Sequence, residues 1–258
     1  MHKEENRIRF YQKENIEIVQ GNSYHSFPKH SHDCFCVGIV TAGTARFILN
    51  SREYVLSKNS VYFVPPFTEH TILAIDKKPY SYQVACVADI FEVGEGNTYY
   101  KSYVFNAGVG KTLLAKFEHF NNAHDSRRLY DALALFIKAN VNSQHVTTKR
   151  RSIEFVQGLA VYIREHPDEP FSLYKLCELS HLTRFYLLRA FKEQMGVTPY
   201  QFYIQEKIRK IRQGLLADQS AINLACDLKF TDQSHMCNTF KKHVGLTPKQ
   251  FQKSCECE

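Results

Sequence analysis

Phe191-Lys192-Glu193-Gln194-Met195-Gly196-Val197-Thr198-Pro199-Tyr200-Gln201-Phe202 and Phe240-Lys241-Lys242-His243-Val244-Gly245-Leu246-Thr247-Pro248-Lys249-Gln250-Phe251 share Phe, Lys, Gly, Thr, Pro, Gln and Phe at one constant offset. The chain therefore carries an internal duplication. Each copy follows two short helical patterns separated by a turn. Ser172 can cap a helix with Leu173, Leu176 and Cys177 on one face, and Thr183 can cap the next, with Leu187, Ala190 and Phe191 at buried-stripe spacing. In the second copy Ser220 opens a helix carrying Leu224 and Ala225, and Asp232 opens one carrying Met236 and Phe240. Two short helices joined by a tight turn form a helix-turn-helix, here at 172–194 and 220–243. Leu176 to Phe191 is one residue shorter than Leu224 to Phe240, so the second turn is the looser one.

The pattern Ser172-Leu173-x-x-Leu176-Cys177, Thr183 to Phe191-Lys192, Gly196-x-Thr198-Pro199, then Phe230-x-Asp232-Gln233-Ser234-His235-Met236, Phe240-Lys241 and Gly245-x-Thr247-Pro248 resembles the AraC/XylS family of bacterial transcription regulators. Three positions depart from the usual family residue. Lys229 stands where glycine is usual, Lys207 where the linking helix has arginine, and Asn238 where the second recognition helix has arginine.

The 258 residues leave room for two domains, and 44% hydrophobic with 23% charged residues is globular composition. Residues 171–253 hold 13 Lys+Arg and 6 Asp+Glu, a surplus equal to the whole-chain net charge of +7. The basic excess thus sits on the duplicated segment, as a footprint for a polyanion. The charged start Met1-His2-Lys3-Glu4-Glu5-Asn6-Arg7 lacks a signal peptide's apolar core, and no run approaches a membrane span, so a cytoplasmic protein without membrane contact is expected. Eight cysteines without paired Cys-x-x-Cys spacing read as reduced thiols.

From Glu17 to Phe91 short β-branched and aromatic runs are broken by turn residues, which predicts an antiparallel barrel or sandwich. Through Pro28-Lys29-His30-Ser31-His32-Asp33, Gly38, Gly43 and Val64-Pro65-Pro66-x-x-x-His70 this part is similar to the cupin-like sensory domain of many family members. The resemblance implies a small-effector site there. Past Lys111 the period becomes helical: Leu113, Leu114, Phe117 and Phe120 fit one helix, and Leu129, Leu133, Phe136, Ile137 and Asn140 another. The resemblance implies helices that pair two subunits as a homodimer, while burial against the chain's own barrel explains the same stripe. The expected organisation is a cupin-like all-β barrel at 1–110, a helical connector at 111–148 ending in the polar stretch 142–148, and an all-α double helix-turn-helix domain at 149–258.

Gly108-Val109-Gly110-Lys111-Thr112 is not a phosphate-binding loop, because Phe105 stands where that motif needs its first glycine. Period-2 spacing would place His30, His32, Cys34 and Cys36 on one strand face, with His70 as a further member of an effector pocket. Cupin enzymes hold a metal through His-x-His, so His30, His32 and His70 form an alternative metal set, and a metal-dependent cupin enzyme or metal or thiol sensor fused to a DNA-binding module is the alternative function. The glutamate ligand usual in cupins is missing, which makes a metal-free, cofactor-free pocket in a non-enzyme the plainer reading. Cys255-Glu256-Cys257 reads as a frayed tail.

On the helix opened by Thr183, burying Leu187, Ala190 and Phe191 leaves Arg184, Phe185, Leu188, Arg189 and Lys192 outside. Arg189 suits the O6 and N7 edge of guanine, and Phe185 and Leu188 suit thymine methyls. On the second helix Gln233, Ser234, His235 and Asn238 point outward, and Asn and Gln suit adenine. Lys192, Lys207, Arg209, Lys241 and Lys242 are the expected phosphate contacts. The expected function is a sequence-specific regulator of transcription that binds double-stranded promoter DNA under control of a small effector, with RNA polymerase as a further partner. A linking helix over 200–214 would hold the recognition helices roughly 34 Å apart, one duplex turn.

Overall fold

The computed structural model describes residues 6–13, 16–88, 98–100, 103–105, 112–118, 126–140, 143–145 and 150–255. Gly108 to Lys111, Phe120, Cys257 and most of the expected linker lie outside these residues. The chain divides into two compact units, the first carrying residues up to Ser26 and His32–Val146, the second carrying Phe27–Ser31 and Thr147–Glu256.

The first unit is β-rich. In chain order the strands are β1 (Arg7–Lys13), β2 (Ile16–Ser23), β3 (Phe27–His30), β4 (Phe35–Ala42), β5 (Ala45–Leu49), β6 (Arg52–Leu56), β7 (Val61–Val64), β8 (His70–Ala74), β9 (Tyr80–Val87), β10 (Thr98–Tyr100), β11 (Tyr103–Phe105) and β12 (Ser143–His145), all but β3 in this unit. Within it they form one sheet in the order β1-β2-β9-β4-β7-β11, a second in the order β8-β5-β6, and a β10-β12 pair. Among the described strands, then, the expected barrel is a roll of two sheets and not a single closed one.

Strand β4 is buried on both faces, and its alternation decides what each face does. Phe35, Val37 and Ile39 join Ile16, Ile18, Val61, Phe63, Ala85 and Val87 in one core with Leu113 and Phe117 of α1 (112–118) and Leu129, Leu133 and Ile137 of α2 (Ser126–Asn140). The apolar stripe expected for subunit pairing is therefore used against the chain's own sheet. The opposite face of β4 carries Cys36 and Gly38. Gly38 has no side chain because the Tyr62 ring occupies its space: an added Cβ would lie 2.0 Å from Tyr62 Cζ. Tyr62 in turn packs on Phe47 of β5 at 4.7 Å between ring centroids, so this face meets the second sheet.

Apart from the short strand β3, the second unit is helical: α3 (Arg150–Glu165), α4 (Leu173–Ser180), α5 (Arg184–Met195), α6 (Pro199–Leu216), α7 (Ala221–Asp227), α8 (Gln233–Val244) and α9 (Pro248–Cys255). Helix α3 packs on α4, α5 and α6, while α6 also packs on α7, α8 and α9. The duplication is structural down to single hydrogen bonds. Gly196 and Gly245 end α5 and α8 in the left-handed region, at φ 73° and 85°, where glycine carries no Cβ penalty. Thr198 and Thr247 then start α6 and α9, each backbone N–H donating to the side chain of Gln201 or Gln250 at 3.0 and 2.9 Å. The closing aromatics meet edge to face, Phe191 on Phe202 at 5.6 Å and Phe240 on Phe251 at 5.5 Å.

The expected helix starts hold in position. Ser172, Ser220 and Asp232 accept from the backbone N–H of Lys175, Asn223 and His235, whereas Thr183 occupies the N-cap of α5 without a side-chain cap bond. Cys255 is not in a frayed tail; it closes α9.

Candidate functional site

Helices α5 and α8 each bury one face and leave the other in solvent. Leu187, Ala190, Phe191 and Met195 are the buried residues of α5, and Met236, Phe240 and Val244 those of α8. Arg184, Phe185, Arg189 and Lys192 are exposed, Leu188 is half-buried, and Phe185 is 85% exposed at the start of its helix. An aromatic ring this far into water adds little burial to its own fold. On α8, Gln233, Ser234, His235, Asn238, Lys241 and Lys242 are exposed, and the His235 ring stands edge-on to Phe230 at 5.4 Å.

Sequence reasoning left out Tyr186, which is 46% exposed on the same helix. The duplication could have found it, because under the constant offset Tyr186 corresponds to His235.

Among the expected phosphate contacts, Lys207 is buried and Arg209 half-buried. The Lys207 ammonium lies 4.7 Å from the ring centroids of both Tyr203 and Phe230. Desolvation there pushes its pKa down to about 8. The ammonium thus packs between α6 and the turn before α8. Arg209 Nε donates to Glu206 at 2.7 Å, and the buried Glu206 carboxylate also pairs with Arg164 at 3.6 Å. Lys210, the next residue, is exposed.

In the β-rich unit the period-2 expectation fails locally, because β3 ends at His30 and β4 starts at Phe35, leaving residues 31–34 outside either strand. The residues still converge. His32, Cys34, Cys36 and Cys86 form one group, with ligand atoms within 4.8 Å of one another. His30 Nδ1 lies 2.7 Å from the carbonyl of Pro28, and burial lowers its pKa, favouring the neutral ring. His70 Nδ1 lies 2.9 Å from the carbonyl of Thr68, and its ring is 5.2 Å from that of His32.

Cys86 was not foreseen. It lies on β9 in direct register with Cys36 of β4, and the two Sγ atoms are 3.3 Å apart. Hydrogen bonds from Cys36 and Cys86 hold the Cys34 thiol down at about 5, while the bond with Cys34 pushes Cys36 and Cys86 up. One thiolate supported by two thiols is the resulting arrangement.

Residues 17–105 match the model of the AraC-like ligand binding domain, and residues 176–254 match a helix-turn-helix domain. The chain belongs to the AraC family of transcription regulators. It is 26% identical over 200 residues to the HTH-type transcriptional regulator YbfI of Bacillus subtilis, covering 72% of this chain and 73% of that one. It is 18% identical over 200 residues to the HTH-type transcriptional activator RhaR of Shigella dysenteriae, covering 70% and 71%. Its fold is that of unsaturated fatty acid-bound ToxT from Vibrio cholerae, with a TM-score of 0.61 at 13% identity over 95% of this chain and 98% of that one. In this AraC-family chain the β-rich unit is the ligand-binding domain and the helical unit is the DNA-binding domain. The thiol and imidazole cluster therefore sits within the ligand-binding-domain match, and α5 and α8 lie within the helix-turn-helix match. Among the described residues no helix is long and apolar enough to cross a membrane.

Proposed function

We propose that the chain sets α5 and α8 into successive major-groove segments on one face of promoter DNA, and regulates transcription from there in response to a small ligand. The observation that carries this reading is the repeated pair of exposed faces, Arg184, Phe185, Leu188 and Arg189 on one helix and Gln233, Ser234, His235 and Asn238 on the other. Both helices end in the same glycine caps and pack on a common helix, α6. Helix α6 has 18 residues and so runs about 27 Å at 1.5 Å per residue. With the widths of the recognition helices added, this suits a separation of roughly 34 Å, one duplex turn.

Base reading falls to Arg189 for guanine, to Phe185 and Leu188 for thymine methyls, and to Gln233, Ser234, His235 and Asn238 on the second half-site. Asn238 corresponds to Arg189 under the duplication, so the two half-sites differ, the second leaning to adenine. Lys192, Lys241 and Lys242 neutralise phosphates, joined by Lys210. The effector lies in the cytoplasmic protein's ligand-binding domain near His32, Cys34, Cys36 and His70. RNA polymerase is the further partner, in keeping with the activator named among the relatives. A homodimer would form through a surface other than the apolar stripe of α2.

Selection of bound duplexes from a randomised pool tests the reading. It is expected to return a split motif with two blocks about one duplex turn apart, about 10 base pairs, bound with an affinity that falls steeply as salt rises. A pool without enrichment, or affinity flat against salt, contradicts it.

A further inference from the structure

We propose that His32, Cys34, Cys36 and Cys86 bind a zinc ion, which makes a thiophilic metal cation a ligand of the β-rich unit. Three of the four residues arrive along one segment, His32 and Cys34 from the approach to β4 and Cys36 from β4 itself, and the fourth comes across the sheet from β9. Cys34 Sγ and Cys36 Sγ are 4.0 Å apart, Cys36 Sγ and Cys86 Sγ are 3.3 Å apart, and all four ligand atoms lie within 4.8 Å. A tetrahedral centre with Zn–S of about 2.3 Å sets sulfur atoms at about 3.8 Å from one another. The observed separations bracket that value, so closure on a cation needs side-chain adjustment and no movement of strands.

The donor chemistry selects the ion. Three thiolates and one imidazole form a soft set suited to zinc and unsuited to magnesium, calcium or manganese, which take oxygen ligands. Four protein ligands also fill the tetrahedral shell, as in structural or sensory sites, and leave no open position for a substrate as a catalytic zinc would. Glu17 of β2 stands in register with Cys86, on the side away from β4, and adds a carboxylate to the neighbourhood that further favours a cation. Binding forms three Zn–S bonds and one Zn–N bond; the thiol protons leave to solvent and nothing is oxidised or reduced.

This inference rests on the reading of the β-rich unit as the ligand-binding part, yet it is read without DNA. The full chain, reduced and freed of metal, is titrated with cobalt(II) and then with zinc(II). The expected result is one equivalent of cobalt giving the near-ultraviolet sulfur-to-metal band and the intense visible bands of a tetrahedral centre, displaced by one equivalent of zinc. Cys34→Ser and Cys86→Ser should weaken both bands, while Cys177→Ser, in the other unit, should leave them unchanged. A second measurement needs no variant: zinc should protect Cys34, Cys36 and Cys86 of the parent chain from alkylation, read peptide by peptide by mass spectrometry. Absence of the cobalt bands, bands that survive in Cys86→Ser, uptake of copper(I) but not zinc, or a Cys36–Cys86 disulfide in place of metal uptake would each overturn the proposal. Loss of DNA binding with the titration intact would count against the regulatory reading alone.

Discussion

The ammonium of Lys207 lies 4.7 Å from the ring centroid of Phe230, a contact that ties the helix joining the two helix-turn-helix units to the turn inside the second one. The ring of Tyr203, one helical turn earlier, stands at the same distance from the ammonium. The basic helical unit thus holds one lysine whose charge is turned into its own interior.

The first expectation is a pH effect. Folding lowers the Lys207 pKa to about 8, with burial as the largest cause and the nearby Asp168 carboxylate opposing it. The unfolded value is about 10.4. Between these values the unfolded chain binds more protons at this position than the folded one, so its contribution to stability rises with pH. Below the folded pKa both states are protonated and the full cost of burying the charge remains. Lys207→Met keeps the stem between the rings and removes the titration. In urea unfolding from about pH 7 to about pH 9.5, the stability of the parent should rise relative to Lys207→Met. Parallel curves would show that the ammonium is not desolvated.

Helix caps give a second contrast. The Asp232 carboxylate accepts from the His235 N–H at 2.7 Å, whereas Thr183 makes no side-chain cap bond. Asp232→Ala should cost about 1 kcal/mol and Thr183→Ala less than about 0.5 kcal/mol, both read by denaturant unfolding. Equal costs would mean that Thr183 caps α5 in solution.

Lys229 supplies a stabilising prediction. It sits at φ 52° just past α7, its N–H bonding the carbonyl of Cys226 at 3.0 Å while Phe230 N–H bonds that of Ala225 at 2.9 Å. This is the Schellman arrangement, whose left-handed position favours glycine. Lysine there costs roughly 1–2 kcal/mol, partly offset by the greater unfolded-chain entropy of glycine. Lys229→Gly should therefore stabilise the chain by about 0.5 kcal/mol, and a destabilised variant would contradict the strain.

What was legible follows from how local each signal is. The Gly-x-Thr-Pro-x-x-Phe punctuation could be read from sequence because its Gly cap, its Thr-to-Gln capping box and its N1 proline all act within one turn of chain. The burial of Lys207 was not legible: Tyr203 is a helical neighbour, but Phe230 arrives from 23 residues away and only the tertiary fold brings it. Cys86 escaped for the same reason, since strand register between β4 and β9 is set by packing and has no fixed sequence spacing. The segment 31–34 bends where period-2 reading assumed a continuous strand, yet His32, Cys34 and Cys36 still converge.

The central claim is that α5 and α8 read bases, and its most direct test compares Arg189→Ala with Lys242→Ala on the selected duplex and on random DNA. Both side chains are exposed, on helices that correspond under the duplication. Arg189→Ala should cost about 1–3 kcal/mol on the selected site, much less on random DNA, and relax the choice of base at one position. Lys242→Ala should weaken both duplexes alike and reduce the salt slope by about 1. An unchanged ratio of selected to random affinity in Arg189→Ala would contradict base reading by the first helix.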